Sequence, residues 1–221
     1  MKDAINKLNW DNDHLPDQTV WDGVIRKIIE LIQYDLKLFA DKDEKRTFDS
    51  LGATLMILFF TPVKSYFAHI GDGRAGVLTA SGWKSVMTPH KGEEANQTVF
   101  VTNRVLNPGL RISGVPVPET MVIEEPILAF AMMSDGCENG LWMKSRKEEQ
   151  EDGKYRYLPM NQPFEPALTH VINLLTDCEE SKRKALYYRI IDHYNEPLKQ
   201  EIDDKTLCLG FCSSRTTDTT I

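Results

Sequence analysis

Three acidic positions in this chain share a setting and stand in a suggestive order. Asp72 lies within Gly71-Asp72-Gly73, Asp135 within Ser134-Asp135-Gly136, and Asp203-Asp204 directly before Lys205-Thr206. Each falls where an apolar, strand-like run meets a polar loop. If the strands are neighbours, their carboxylates can converge on one edge and supply the oxygen ligands that hard divalent cations such as Mg²⁺ and Mn²⁺ require. Two such ions held together activate water and neutralise a phosphoryl group during in-line attack. Each dipeptide alone is weak evidence, and the simpler account of Gly71-Asp72-Gly73 is a turn in a β-meander. The order of the three carries more weight.

The elements that must position these acids can be read from apolar periodicity. Ala53 to Phe60 is apolar almost throughout, which predicts a strand buried on both faces. Tyr66 to Ile70 and Arg74 to Thr79 predict two more strands meeting at the Gly-Asp-Gly corner. Thr120 to Glu124 and Ile127 to Met133 follow, the second ending at Ser134-Asp135-Gly136, and Thr206 to Phe211 is the last regular element. Trp83 to Met87 is a short segment, and Thr98 to Thr102 alternates weakly enough to suggest another strand. Asn107-Pro108-Gly109, Pro116 and Pro118 mark turns.

The helices are legible in the same way. Val20, Val24, Ile28, Leu31, Ile32, Leu36 and Phe39 recur at three- and four-residue steps and predict one long helix. Asp17 is placed to cap it, and the charged residues 41–46 mark its end. Asp22-Gly23 falls inside this period, so it reads as part of a helix start rather than as an active-site dipeptide. Phe164 to Thr176 and Ser181 to Gln200 predict two further helices, the second kinked or frayed at Pro197. Glu138 to Leu141 predicts one helical turn, and the charged run Lys144 to Arg156 reads as a surface insertion. His90, Lys91, Glu93 and Glu94 could touch a substrate, although a solvated loop accounts for them better. His170 and His193 lack a second ligand at helical spacing and read as structural.

Composition narrows the field. The 221 residues are 41% hydrophobic and 27% charged, as expected of one ordinary globular domain. A net charge of −7 argues against nonspecific binding to nucleic acid or anionic membrane and suits cation binding. The longest apolar run is less than half a membrane span and no secretory leader opens the chain, so a soluble, cytoplasmic protein is expected. Cys137, Cys178, Cys208 and Cys212 lack paired CxxC spacing and read as reduced thiols. The polar stretch Ser213 to Ile221 is expected to be a disordered tail on a single domain of residues 1–212.

Taken in order, GATLMILFF, SYFAHIGDGRAGVL, ILAFAMMSDGCENG and DDKTLCLGF resemble the latter part of the metal-dependent protein serine/threonine phosphatases of type 2C. The resemblance covers residues 50–211, and PHKGEEANQTVFVTN is similar to stand-alone bacterial members. It implies an α+β fold, a four-layer α-β-β-α sandwich of antiparallel sheets flanked by helices. It also implies that Asp135 and Asp203 are ligands of a dinuclear Mn²⁺ or Mg²⁺ centre, and that Asp72 joins Asp135 at a third, weaker ion. Gly136, Asp204 and Thr206 would organise the backbone around them. A phosphorylated protein would be the substrate.

One departure bears on activity. The family's first strands carry an Asp-Gly-x-Gly motif whose aspartate bridges both metals, together with an upstream basic residue that grips phosphate, and nothing before Leu51 supplies either. The chain therefore reads as an N-terminally incomplete or degenerate member, with weak metal binding and little or no turnover expected. The alternatives are a pseudophosphatase serving as a binding or regulatory module, and an unrelated structural α/β domain. Missing strands would also favour self-association, or a partner that replaces them.

Overall fold

A computed structural model of the protein describes residues 15–91, 98–150 and 153–211. In chain order its helices are α1 (Gln18–Ala40), α2 (Glu138–Leu141), α3 (Glu165–Asp177), α4 (Glu180–His193) and α5 (Glu196–Gln200). Its strands are β1 (Leu55–Phe60), β2 (Ser65–Ile70), β3 (Arg74–Thr79), β4 (Gly82–Ser85), β5 (Arg111–Ile112), β6 (Val115–Pro116), β7 (Glu119–Ile123), β8 (Ala129–Met133), β9 (Trp142–Glu149), β10 (Tyr155–Pro163) and β11 (Leu207–Phe211). Every strand pair among the described residues is antiparallel, so the chain is of the α+β class. It divides into two compact units, residues 1–73 with 86–126, and residues 74–85 with 127–221.

The first unit is a three-stranded sheet, β1-β2-β7, with α1 packed on it. α1 forms because its apolar residues fall on one stripe and Asp17 caps its start, the carboxylate accepting from the Val20 N–H at 2.9 Å. Trp21, Ile25, Ile28 and Ile29 bury against Tyr66, Ala68 and Ile70, the alternate residues of β2. Trp21 keeps a hydrogen bond on burial, its Nε1–H donating to the Phe67 carbonyl at 2.8 Å.

The second unit is a four-stranded sheet, β11-β8-β3-β4. Ala131, Met133 and Leu207 from this sheet share a core with Leu168 and Val171 of α3, Ile190 and Ile191 of α4, and Leu198 of α5. β9 and β10 form a long hairpin whose register shifts between Pro159 and Gln162.

Several expectations need correction. Gly71-Asp72-Gly73 is not the tip of a meander: β2 and β3 do not pair, and the corner carries the chain from one sheet into the other. β1 is half-buried, with Phe60 exposed, rather than buried on both faces; among the described residues it pairs with β2. Thr98 to Thr102 is not a strand; Thr98 makes a single bridge to Lys91. Pro116 lies in the short strand β6 rather than in a turn. The described residues of the charged run 144–156 are exposed, as a surface insertion would be, and fall mostly in the β9–β10 hairpin, held by backbone pairing. The long C-terminal helix is two helices, because the Asn195 side chain caps α5 by accepting from the Leu198 N–H at 3.0 Å and Pro197 sits in its first turn. The expected disordered tail, Cys212, Glu93 and Glu94 lie outside the described residues.

Candidate metal centre

The antiparallel pairing of β8 with β11 sets Met133 opposite Leu207. The end of one strand therefore adjoins the start of the other, and Ser134-Asp135-Gly136 meets Asp203-Asp204-Lys205-Thr206. The contact is direct. The Ser134 hydroxyl donates to the Asp204 carbonyl at 3.0 Å and accepts from the Thr206 N–H at 2.9 Å, while the Ser134 N–H donates to the Thr206 carbonyl at 2.9 Å. Gly136 approaches so closely that a Cβ there would stand 2.5 Å from the Asp204 carbonyl oxygen. Only glycine fits.

Asp135 opens a short 3-10 turn and accepts from the Gly136 N–H at 3.0 Å. Asp203 is exposed and accepts from the Asp204 N–H at 2.8 Å. The loop before it is held by Glu201, which accepts from the Ile202 and Asp203 N–H groups at 3.0 and 3.3 Å and from the Asn139 amide at 2.5 Å. The Asp203 N–H, and then the Asn139 amide, hold the Glu201 carboxyl below its usual range.

Just beyond Asp135, the buried carboxylate of Glu138 receives the Arg74 guanidinium at 2.8 Å and the Lys144 ammonium at 2.9 Å. This ion cluster, buried at Arg74 and Glu138 and open to solvent at Lys144, ties the Ser-Asp-Gly turn to β3 and β9. The sequence reading did not single out Glu201 or Glu138. A charged residue placed just after Asp135 was the available signal for the second; nothing marked the first.

Asp72 belongs to the first unit, where Thr98 Oγ1 donates to its Oδ2 at 2.6 Å. Gly71 has φ +129°, and Thr54 occupies the place where a side chain at that position would project. His90 braces the corner, its N–H donating to the Gly71 carbonyl at 2.8 Å and its Nδ1 accepting from the Gly71 N–H at 3.3 Å. His90 is fully buried and stacks on His69, against the expectation of a solvated loop.

Chemically, Asp135 and Asp203 present carboxylate oxygens at adjoining strand ends, one half-buried and one exposed. That donor set fits a hard divalent ion that keeps several waters.

The family profile for Protein phosphatase 2C matches residues 2–186. The fold is similar to that of a bacterial serine phosphatase (14% identity, TM-score 0.51, covering 95% of this chain and 75% of that one). It is also similar to the serine/threonine phosphatase Stp1 from Staphylococcus aureus (15% identity, TM-score 0.50, 95% and 74%). A C. elegans sex determining protein aligns over 94% of this chain and 49% of its own, with 16% identity and TM-score 0.54. A comparison with curated protein sequences gave no match.

Proposed function

The chain belongs to the protein phosphatase 2C family, and from that premise we propose a metal-dependent site for phosphoserine and phosphothreonine, with Asp135 and Asp203 as its metal ligands. The observation that carries this reading is the direct contact between the Ser134-Asp135-Gly136 turn and the Asp203-to-Thr206 segment at the adjoining ends of β8 and β11. Ser134, Gly136, Asp204 and Thr206 hold those two loops together through backbone contacts, and Asp72 is assigned to a further, weaker ion. Bound Mn²⁺ or Mg²⁺ would activate water and neutralise phosphoryl charge. The protein's own part is to fix the two carboxylates and keep them open to solvent.

A second reading is favoured by a specific feature of α1. Asp22, which precedes Gly23, lies within the helix and is tied there, accepting from Gln18 Nε2 at 2.7 Å and from Thr120 Oγ1 at 2.5 Å. It does not supply the bridging carboxylate that the family resemblance leads one to look for. Two dications held without that bridge repel each other more strongly, so the site binds metal weakly and the chain serves mainly to bind a phosphorylated protein or regulatory partner. A phosphorylated protein or a second copy of the chain is the kind of partner this reading implies. No helix among the described residues is long and apolar enough to cross a membrane.

Calorimetric titration of Mn²⁺ into wild type and Asp135→Asn, with turnover of a phosphothreonine peptide measured alongside, tests both readings. The expected result is weak Mn²⁺ binding that is lost in Asp135→Asn, with little turnover. Efficient Mn²⁺-dependent turnover by wild type would remove the second reading. Unchanged Mn²⁺ binding by Asp135→Asn would remove the site assignment itself.

A further inference from the structure

His69, His90 and Glu119 form a cluster in the first unit, and the site proposed above makes no use of it. His69 and Glu119 are register partners across β2 and β7, and His90 arrives on the segment that braces the Gly71 corner. One ligand atom from each of the three side chains lies within 4.8 Å of the other two. Both imidazoles are fully buried, and they stack at 4.2 Å between ring centres with 10° between planes.

The hydrogen bonds define an electrostatic problem. His69 Nε2 lies 3.0 Å from the Thr88 carbonyl oxygen, so Nε2 carries the proton and Nδ1 is left with a bare lone pair. That Nδ1 faces Glu119 Oε2 at 3.5 Å, where two acceptors oppose each other inside the protein. Among the described residues His69 Nδ1 has no hydrogen-bond partner, whereas His90, whose Nδ1 accepts from the Gly71 N–H, carries its proton on Nε2 towards the Pro116 backbone. A lone pair set against a carboxylate in low dielectric is stable only with a proton or a metal cation between them.

We infer that His69, His90 and Glu119 constitute a binding site for one borderline first-row divalent cation, of which Zn²⁺ is the type. The spacing suits it. Two donors each about 2.0–2.1 Å from a tetrahedral Zn²⁺ stand about 3.3 Å apart, close to the 3.5 Å between His69 Nδ1 and Glu119 Oε2. Two imidazoles and one carboxylate are the ligand types this ion takes where a fourth position is left to water. The Thr88 carbonyl at His69 Nε2 and the Thr88 N–H at Glu119 Oε2, 2.7 Å, fix both ligands from behind. Burial holds His69 and His90 neutral, with pKa values pushed down to about 3 and about 4, so protons do not compete with metal near pH 7.

Closure on an ion has a defined requirement. Parallel rings cannot aim two lone pairs at one point, so the His90 ring turns about its Cβ–Cγ bond and gives up the long 3.3 Å contact with the Gly71 N–H. The His90 N–H to Gly71 carbonyl bond, which is backbone to backbone, is kept. An ion here would join β2, β7 and the segment bearing His90 behind the Asp72 corner, which is a structural role.

The test uses the full chain stripped with chelator and titrated with Co²⁺ alone, then with Zn²⁺. One Co²⁺ per chain should bind with the intense visible band of a nitrogen-ligated, low-coordinate site, and Zn²⁺ should displace it. His69→Gln and His90→Gln should each weaken binding by more than about 100-fold, and His170→Gln should leave it unchanged. Nitrogen-detected NMR of the wild-type imidazoles covers the case in which the variants do not fold, since Zn²⁺ must shift two rings. A missing band, a band that survives in the His69→Gln/His90→Gln double variant, or imidazole signals that Zn²⁺ does not move would overturn the inference. In that event a proton alone separates His69 from Glu119.

Discussion

Two glycine-to-alanine substitutions should change stability in opposite directions. At Gly136 an added Cβ stands 2.5 Å from the Asp204 carbonyl oxygen, 3.0 Å from its carbon and 3.2 Å from the Asp203 carbonyl oxygen. All three obstacles are backbone, so no rotamer change relieves them, and the segment ahead of β11 must retreat by roughly an ångström to reach ordinary contact. That retreat pulls on the bonds joining Ser134 to Asp204 and Thr206. Overpacking of this kind costs about 1–3 kcal/mol, and one weakened hydrogen bond adds about 1. Gly136→Ala should therefore destabilise the protein by about 2–4 kcal/mol. Gly23 is exposed within α1 and nothing lies within 4 Å of its added Cβ, so Gly23→Ala should stabilise by about 0.5–1 kcal/mol. In urea unfolding, with a slope of about 2 kcal/mol/M, the midpoints should move down by about 1–2 M and up by a few tenths. Hydrogen exchange should quicken near residues 203–207 in Gly136→Ala alone, and its Mn²⁺ binding should weaken. A Gly136→Ala protein within about 0.5 kcal/mol of wild type would refute the argument that the two motifs are in backbone contact.

Other consequences can be measured. The buried rings of His69 and His90, held neutral down to about 3 and about 4, refuse protons that the unfolded chain accepts near 6.5. Their contribution is complete above pH 6.5 and is lost as the pH falls towards 4, by up to about 1.4 kcal/mol per pH unit for each ring. Glu119, which burial raises, offsets part of this at acid pH. His69→Gln should flatten the slope in urea titrations from pH 7 to 5, and an unchanged slope contradicts the assignment. Arg74→Met leaves buried Glu138 with Lys144 alone and should destabilise by about 3 kcal/mol or more, while Arg74→Met/Glu138→Gln recovers part of the loss. Additive effects in that cycle would show that the pair is not coupled. Sedimentation at micromolar concentration should detect self-association, and a clean monomer argues against it.

The acids stood out because Asp72 and Asp135 each combine an acid, a glycine and the end of an apolar run, and Asp203 stands just before one. Which strands pair was not legible. Periodicity assigned β2 and β3 correctly as strands, yet the same pattern serves a hairpin and a change of sheet equally well. The hairpin of β9 and β10 escaped notice because backbone pairing rather than burial holds most of it, so no apolar alternation marks it. The break between α4 and α5 was written in Asn195-Glu196-Pro197, a cap followed by a first-turn proline, but the apolar stripe running on to Leu198 outweighed it. His90 gave no sign of burial because its neighbours in sequence are polar, while its neighbours in space come from β2 and β7.

The two proposed cation sites differ in ways that fix how they must be assayed. Asp135 and Asp203 present oxygen ligands near solvent, which suits an ion that exchanges readily and binds weakly. His69, His90 and Glu119 present nitrogen and oxygen from inside the first unit, where burial suits slow exchange. Chelation before a Mn²⁺ titration would strip the slow site while being meant to clear the fast one. Because His90 gives up its Nδ1 contact with Gly71 to hold the ion, the loss would change how the corner that carries Asp72 is braced. A weak response to Mn²⁺ after chelation would then have two origins, the proposed lack of a bridging carboxylate and an altered corner. Restoring one equivalent of Zn²⁺ before Mn²⁺ separates them: recovery identifies the corner, and a response that stays weak identifies the carboxylate.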